Sequence, residues 1–159
     1  MVSIFKSIFT HKIFFYISPL TSVERVRKTA LSIARKIHEE QRKNPDLLTV
    51  ELAALLHDVL DKKYVSPEQA ADPYAFFLPF FESWVGQGGV DIISDGRARE
   101  VAKIVDNVSW STEKRLRVAG LITPWHRECV ELHCVQDADR LDAIGAFGKP
   151  SLGFTVLSL

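Results

Sequence analysis

Two segments far apart in the chain carry side chains that can hold a metal ion or move a proton. The first is Leu52-Ala53-Ala54-Leu55-Leu56-His57-Asp58; the second is Val135-Gln136-Asp137-Ala138-Asp139-Arg140-Leu141-Asp142-Ala143-Ile144-Gly145. Each sets an imidazole or carboxylates inside an apolar helical pattern. Taking carboxylates out of water is costly unless a cation or a paired group compensates them, and one divalent ion held between two helices would serve both segments. An adjacent His-Asp pair late in a buried helix offers a ring nitrogen and a carboxylate oxygen, and an acid from a second helix can close the site. Such mixed ligation suits Mn²⁺, Mg²⁺ or Fe²⁺. Taken alone, the dipeptide is more simply a helix-end aspartate beside a satisfied core histidine; the second segment turns the reading.

The elements that must position these groups are helices. Val23, Val26, Ala30, Ile33 and Ile37 recur at steps of three and four until Pro45, the stripe of an amphipathic helix of roughly twenty residues. Thr49 is expected to cap a second helix over 50–60, apolar nearly all round and therefore central, with His57 and Asp58 near its end. Pro73 suits a first helical turn, Pro79 implies a kink or break, and Gly86, Gly88 and Gly89 end that segment. A helix over 97–108 follows, then a polar, turn-rich connection through Pro124, then a last helix over 127–147 with the Asp137 to Asp142 cluster. No sustained alternation, repeat or low-complexity tract is present. The expected fold is an all-α single domain, a bundle of about five or six helices.

Composition narrows the function. With 159 residues, 20 basic and 20 acidic side chains and 47% apolar residues, the chain suits one globular domain with a proper core. Formal neutrality argues against a broad footprint for nucleic acid or an anionic membrane, and favours a small-molecule substrate. Cys129 and Cys134 read as free thiols of a reducing compartment. Residues 1–21 form a divergent appendage rich in Ile and Phe. Its longest apolar run, over 13–17, is far too short to cross a bilayer, and it lacks the features of a convincing leader. A cytoplasmic location is expected, with a nuclear or organellar one left open.

Together the two segments resemble the HD-domain metal-dependent phosphohydrolases, whose pattern is a histidine, then a His-Asp pair, then a final aspartate. The resemblance runs from about Val23 to Phe147. It implies a phosphohydrolase domain over 22–148, with His57, Asp58 and Asp139 as metal ligands for Mn²⁺, Mg²⁺ or a similar ion. Asp137, two residues before Asp139, points elsewhere on a helix and takes a supporting role. The family's first ligand histidine is replaced here by Ser22, a poor ligand. His38 lies more than four turns along the same helix, about 24 Å away at 1.5 Å per residue, and cannot substitute. Residues 149–159 resemble nothing in the family. Both divergent ends suggest a variant of a longer protein, with reduced metal affinity and turnover.

The activity implied is hydrolysis of a phosphate ester or phosphoanhydride, with a nucleotide as the favoured substrate; the alternative is a catalytically silent relative that binds metal or nucleotide. Asp61 would orient or deprotonate the attacking water, or else form a solvated ion pair with Lys62 or Lys63. Arg140, and more weakly Lys63, would contact phosphate oxygens; Arg140 is otherwise paired with an acid such as Asp137. Asp142 shares the face of Asp139, as a supporting or helix-stabilising group. Asn107 lines a pocket or caps a helix, His126 and His133 are surface or core filler, and Tyr74, Phe76, Phe77, Phe80, Phe81 and Trp84 are core or a shielding lid.

Overall fold

A computed structural model describes residues 20–41, 43–61 and 65–147. Among these, the chain forms eight helices and no strand, so the fold is all-α. They are α1 (Leu20–Gln41), α2 (Leu47–Leu56), α3 (Pro67–Ala70), α4 (Pro73–Gly86), α5 (Arg97–Asn107), α6 (Trp110–Val118), α7 (Pro124–Glu128) and α8 (Val130–Phe147). Residues 1–19 of the appendage, Lys62, Lys63 and residues 148–159 lie outside the described residues.

Helix α2 is central because it has no polar stripe: Val50, Leu52, Ala53, Ala54 and Leu56 are all buried, and it packs against α1, α5 and α8. Full burial of each such large side chain contributes about 1.5–3 kcal/mol, so Leu52→Ala would cost about 2–5 kcal/mol. The cap differs from expectation. Asp46 accepts from the Leu48 and Thr49 amides at 2.9 and 3.3 Å, whereas Thr49 is buried and its hydroxyl finds no partner among the described residues. The helix also ends earlier than expected, at Leu56. His57 to Asp61 continue as turns, with Val59 N–H to Leu56 O at 3.0 Å and Asp61 N–H to Asp58 O at 3.1 Å.

Helix α1 buries Val23, Val26, Ala30, Leu31 and Ala34 and runs against α2 and α8. Ile33 and Ile37 sit only at the edge of the core, so the buried stripe is turned slightly from the expected one. In α4, Pro79 does not break the helix. Proline removes one backbone bond to the fourth preceding carbonyl; here Pro79 and Ala75 are both on the exposed face, where water can take the freed carbonyl. Phe77, Phe80, Phe81 and Trp84 anchor both halves in the core. Gly96, at φ +86°, turns the chain into α5, which buries Val101, Ala102, Ile104 and Val105.

The stretch expected to be turns contains α6 and α7, and α8 begins at Val130 after an extended Cys129. Neither short helix buries a residue, which is why no apolar period announced them. Polar ties hold them instead: Glu113 of α6 pairs with Arg140 of α8, and the Trp125 indole N–H donates to Glu100 at 2.7 Å while Lys103 sits 3.9 Å over its ring.

A candidate metal site at the end of helix α2

His57 closes α2 at its C-cap, and its side chain is only 3% exposed. Its Nδ1 lies 2.8 Å from the Ala54 carbonyl oxygen. A carbonyl can only accept, so Nδ1 carries the proton and Nε2 is left with its lone pair. That nitrogen faces two carboxylates: Asp58 Oδ2 at 3.4 Å and Asp139 Oδ1, from α8, at 3.7 Å. Three acceptor atoms turned toward one another call for a proton or a metal ion among them. Burial raises the Asp139 carboxyl above its ordinary range; His57 opposes the rise, while Asp58 and Asp142 add to it. A carboxylate held among other carboxylates in a partly dry setting is stabilised by a cation more than an exposed one is.

The donor set fits a hard or borderline divalent ion. Ligand atoms about 2.0–2.1 Å from one ion stand about 2.9 Å apart at right angles and about 3.4 Å apart at the tetrahedral angle. The two observed separations from Nε2 are at and slightly beyond that range. The hydrogen bond from Nδ1 to a backbone carbonyl is the arrangement that fixes the tautomer of metal-ligating histidines. As placed, no group of three or more His, Cys, Asp or Glu among the described residues is drawn tightly enough to coordinate one ion, so both carboxylates would have to draw in.

Ser22 stands at the edge of this cluster. Its hydroxyl donates to Asp142 Oδ2 at 2.6 Å, and Arg25, one turn further along α1, grips both oxygens of the same carboxylate at 2.6 and 3.0 Å. These contacts hold the Asp142 carboxyl below its usual range, Arg25 contributing most. Asp142 lies one turn from Asp139 on α8, so position 22 faces the same corner of the bundle as the two carboxylates. Arg25 was not singled out from the sequence, although its place one turn after Ser22 was the available signal.

An uncharacterized protein of Bacillus subtilis (strain 168), YpgQ, is 33% identical to the chain over 113 residues, covering 68% of this chain and 45% of that protein. The chain thus spans less than half the length of this relative. No family model matches the chain, and no solved structure matches it.

A cavity of about 460 Å³ opens beside the histidine, lined by His57, Asp58 and Asp61, by Asp106 and Trp110, and by Asp139. Asp61 reaches it by way of the turns after α2 rather than along a helical face. Burial in the wall raises the Asp106 carboxyl, with Arg115 opposing. Trp110 is 61% exposed with Arg140 5.2 Å from its ring centre. Neither Asp106 nor Trp110 was expected here, for one sits in an ordinary polar helix position and the other in a segment taken for a turn.

Arg140 is not where the phosphate-contact expectation put it. It pairs with Glu113 and, at 3.9 Å, with Asp137, and it lines a separate cleft. Consecutive residues on a helix are about 100° apart, and here that offset sets Asp139 toward the His57 cavity and Arg140 toward the second cleft. Asp137 lines that second cleft as well, pointing away from His57 as expected. Asn107, His126 and His133 also line it, and His38 is exposed, 3.1 Å from the Lys43 carbonyl. The aromatic side chains Phe77, Phe80, Phe81 and Trp84 are core. Both cysteines are free and buried. Among the described residues, no helix is long and apolar enough to cross a membrane.

Proposed function

We propose that the chain is a metal-dependent phosphohydrolase of the HD type, holding a divalent ion such as Mn²⁺ or Mg²⁺ with His57, Asp58 and Asp139. Its substrate is a phosphate ester or phosphoanhydride, with a nucleotide favoured. The observation that carries the reading is the convergence of two carboxylates on a histidine nitrogen whose other nitrogen is already committed, beside a cavity of ligand size. A bound divalent ion would lower the pKa of a coordinated water and polarise a phosphoryl oxygen. The chain itself supplies the rest. The Ala54 carbonyl keeps the imidazole oriented, Asp61 brings a carboxylate able to accept a proton from an attacking water, and the hydroxyls of Ser109, Ser111 and Thr112 line the wall where phosphate oxygens would sit. Lys63 remains a candidate phosphate contact.

The second reading is a silent relative that binds metal or nucleotide without turnover. It is favoured by Ser22, whose hydroxyl is committed to Asp142 rather than to the cluster. Calorimetry with Mn²⁺, followed by phosphate or pyrophosphate release from a panel of nucleotides, separates the two. Mn²⁺ binding and release that both vanish in Asp58→Ala support the enzyme. Binding without release supports the silent relative, and absence of binding in a folded chain overturns both.

A further inference from the structure

The cleft on the other face of α8 is a second, differently built concavity. It encloses about 360 Å³ between the end of α5, α6, α7 and α8, which is within the size range of small-ligand pockets. Its floor is a closed polar network. The Thr123 amide donates to His126 Nδ1 at 3.2 Å, leaving Nε2–H to donate to Asn107 Oδ1 at 3.1 Å. The buried Gln136 amide donates to the Asn107 carbonyl at 3.0 Å, and His133 Nε2 donates to the His126 carbonyl at 2.9 Å. A satisfied network of this kind rigidifies the floor.

Above that floor three guanidiniums, Arg117, Arg127 and Arg140, face two carboxylates, Glu113 and Asp137, so positive charge is in excess. Arg117 and Arg140 converge on the single carboxylate of Glu113, so the chain itself shows that an oxyanion fits between them. One donor remains in surplus: among the described residues Arg127 makes only a long contact, 3.4 Å, to the Ile122 carbonyl. The Nε of Arg140 also finds no partner among the described residues, but it is buried away from the opening. Arginine forks match phosphate oxygens bidentately.

We propose that this cleft is an anion-binding site for a compact phosphate-type dianion, held by Arg127 together with Arg117 and Arg140. Nothing in this site requires the His57 cluster or the activity proposed for it. Arg140 and Trp110 form the partition between the two cavities, so an occupant here would sit against the wall of the other.

The test is calorimetric titration of the full chain with inorganic phosphate and, separately, with glycerol 3-phosphate. Chelator is present throughout, so that no metal-bound phosphate contributes. Saturable binding is expected, weakened about tenfold or more by Arg127→Ala, the loss of one charge-assisted contact, less by Arg127→Lys, and unchanged by Asp58→Ala or by Arg35→Ala, an exposed arginine of α1 that does not line the cleft. Tighter binding of the ester assigns the site to organic monoesters, and equal binding to free phosphate. Absence of saturable binding overturns the proposal. So does loss of binding in Asp58→Ala with retention in Arg127→Ala, or equal weakening by Arg35→Ala. Far-UV circular dichroism of each variant confirms that the helices are intact.

Discussion

Replacing Ser22 by histidine tests the metal reading at its weakest point. In the metal-free chain the substitution removes the hydroxyl bond to Asp142 Oδ2, 2.6 Å long and partly buried. Hydrogen bonds to charged groups contribute about 1.5–3 kcal/mol; Arg25 retains both oxygens of Asp142, so the loss should lie near the lower end, about 1.5 kcal/mol. At roughly 2–4 °C per kcal/mol for a chain of this size, Ser22→His should melt about 3–6 °C below the native chain in chelator. With metal the order should change. A fourth protein ligand that tightens the ion at least tenfold adds about 1.4 kcal/mol at saturating metal, which offsets most or all of the deficit. The assay is a pair of thermal melts, with chelator and with excess Mn²⁺, beside calorimetric affinities of both chains. A cooperative Ser22→His variant whose Mn²⁺ affinity is no tighter than native, and whose deficit persists with metal, would refute the placement of position 22 at the coordination site.

Asp142 gives a pH-dependent counterpart. Its folded carboxyl lies below the usual range because Arg25 and Ser22 bind the charged form; the resulting stability is therefore present above the unfolded pKa and lost as pH falls through the folded one. Asp142→Asn should cost about 1–2 kcal/mol in urea unfolding at pH 7, and the cost should shrink as the pH is lowered through and below the ordinary aspartate range; a cost that does not change with pH would contradict the assignment. Burial pushes the thiols of Cys129 and Cys134 up to about 12 and about 11. Iodoacetamide at pH 8 should therefore leave the native chain unlabelled while labelling both cysteines in urea, as mass spectrometry would show. At Gly89 an added Cβ would overlap the buried Trp84 ring, so Gly89→Ala should cost about 1–3 kcal/mol, and an unchanged melting temperature would mean the ring can move aside.

What could be read from the sequence followed what determines each feature. The all-α bundle, the central place of α2 and the aromatic core rest on dense apolar periods, and packing honoured them. The family resemblance singled out Asp139, and helical geometry, which separates residues two apart, then set Asp137 on another face. The same geometry applies to Arg140, one residue beyond Asp139, and turns it away from the cavity. Asp46 took the cap from Thr49 because a carboxylate at the turn after Pro45 reaches two free amides, while the Thr49 side chain is drawn inward with its apolar neighbours. Helices α6 and α7 had no apolar stripe to announce them. Their anchors are partners distant in sequence, Glu113 with Arg140 and Trp125 with Glu100, and such pairings cannot be seen along a single strand of letters.

That anchoring has a consequence for how stability is distributed. Helix α6 buries no residue, yet it supplies Trp110 to one cavity and Glu113 to the other. A helix held by ion pairs on its surface opens at low free energy compared with helices anchored in the core. Its amides should therefore exchange with solvent deuterium far sooner than those of α2, whose opening requires disruption of the whole bundle. A ligand in either cavity would slow that exchange by pinning the same nine residues. Two occupants would then share the entropic cost of ordering one helix, and each would favour the other without any change in mean structure.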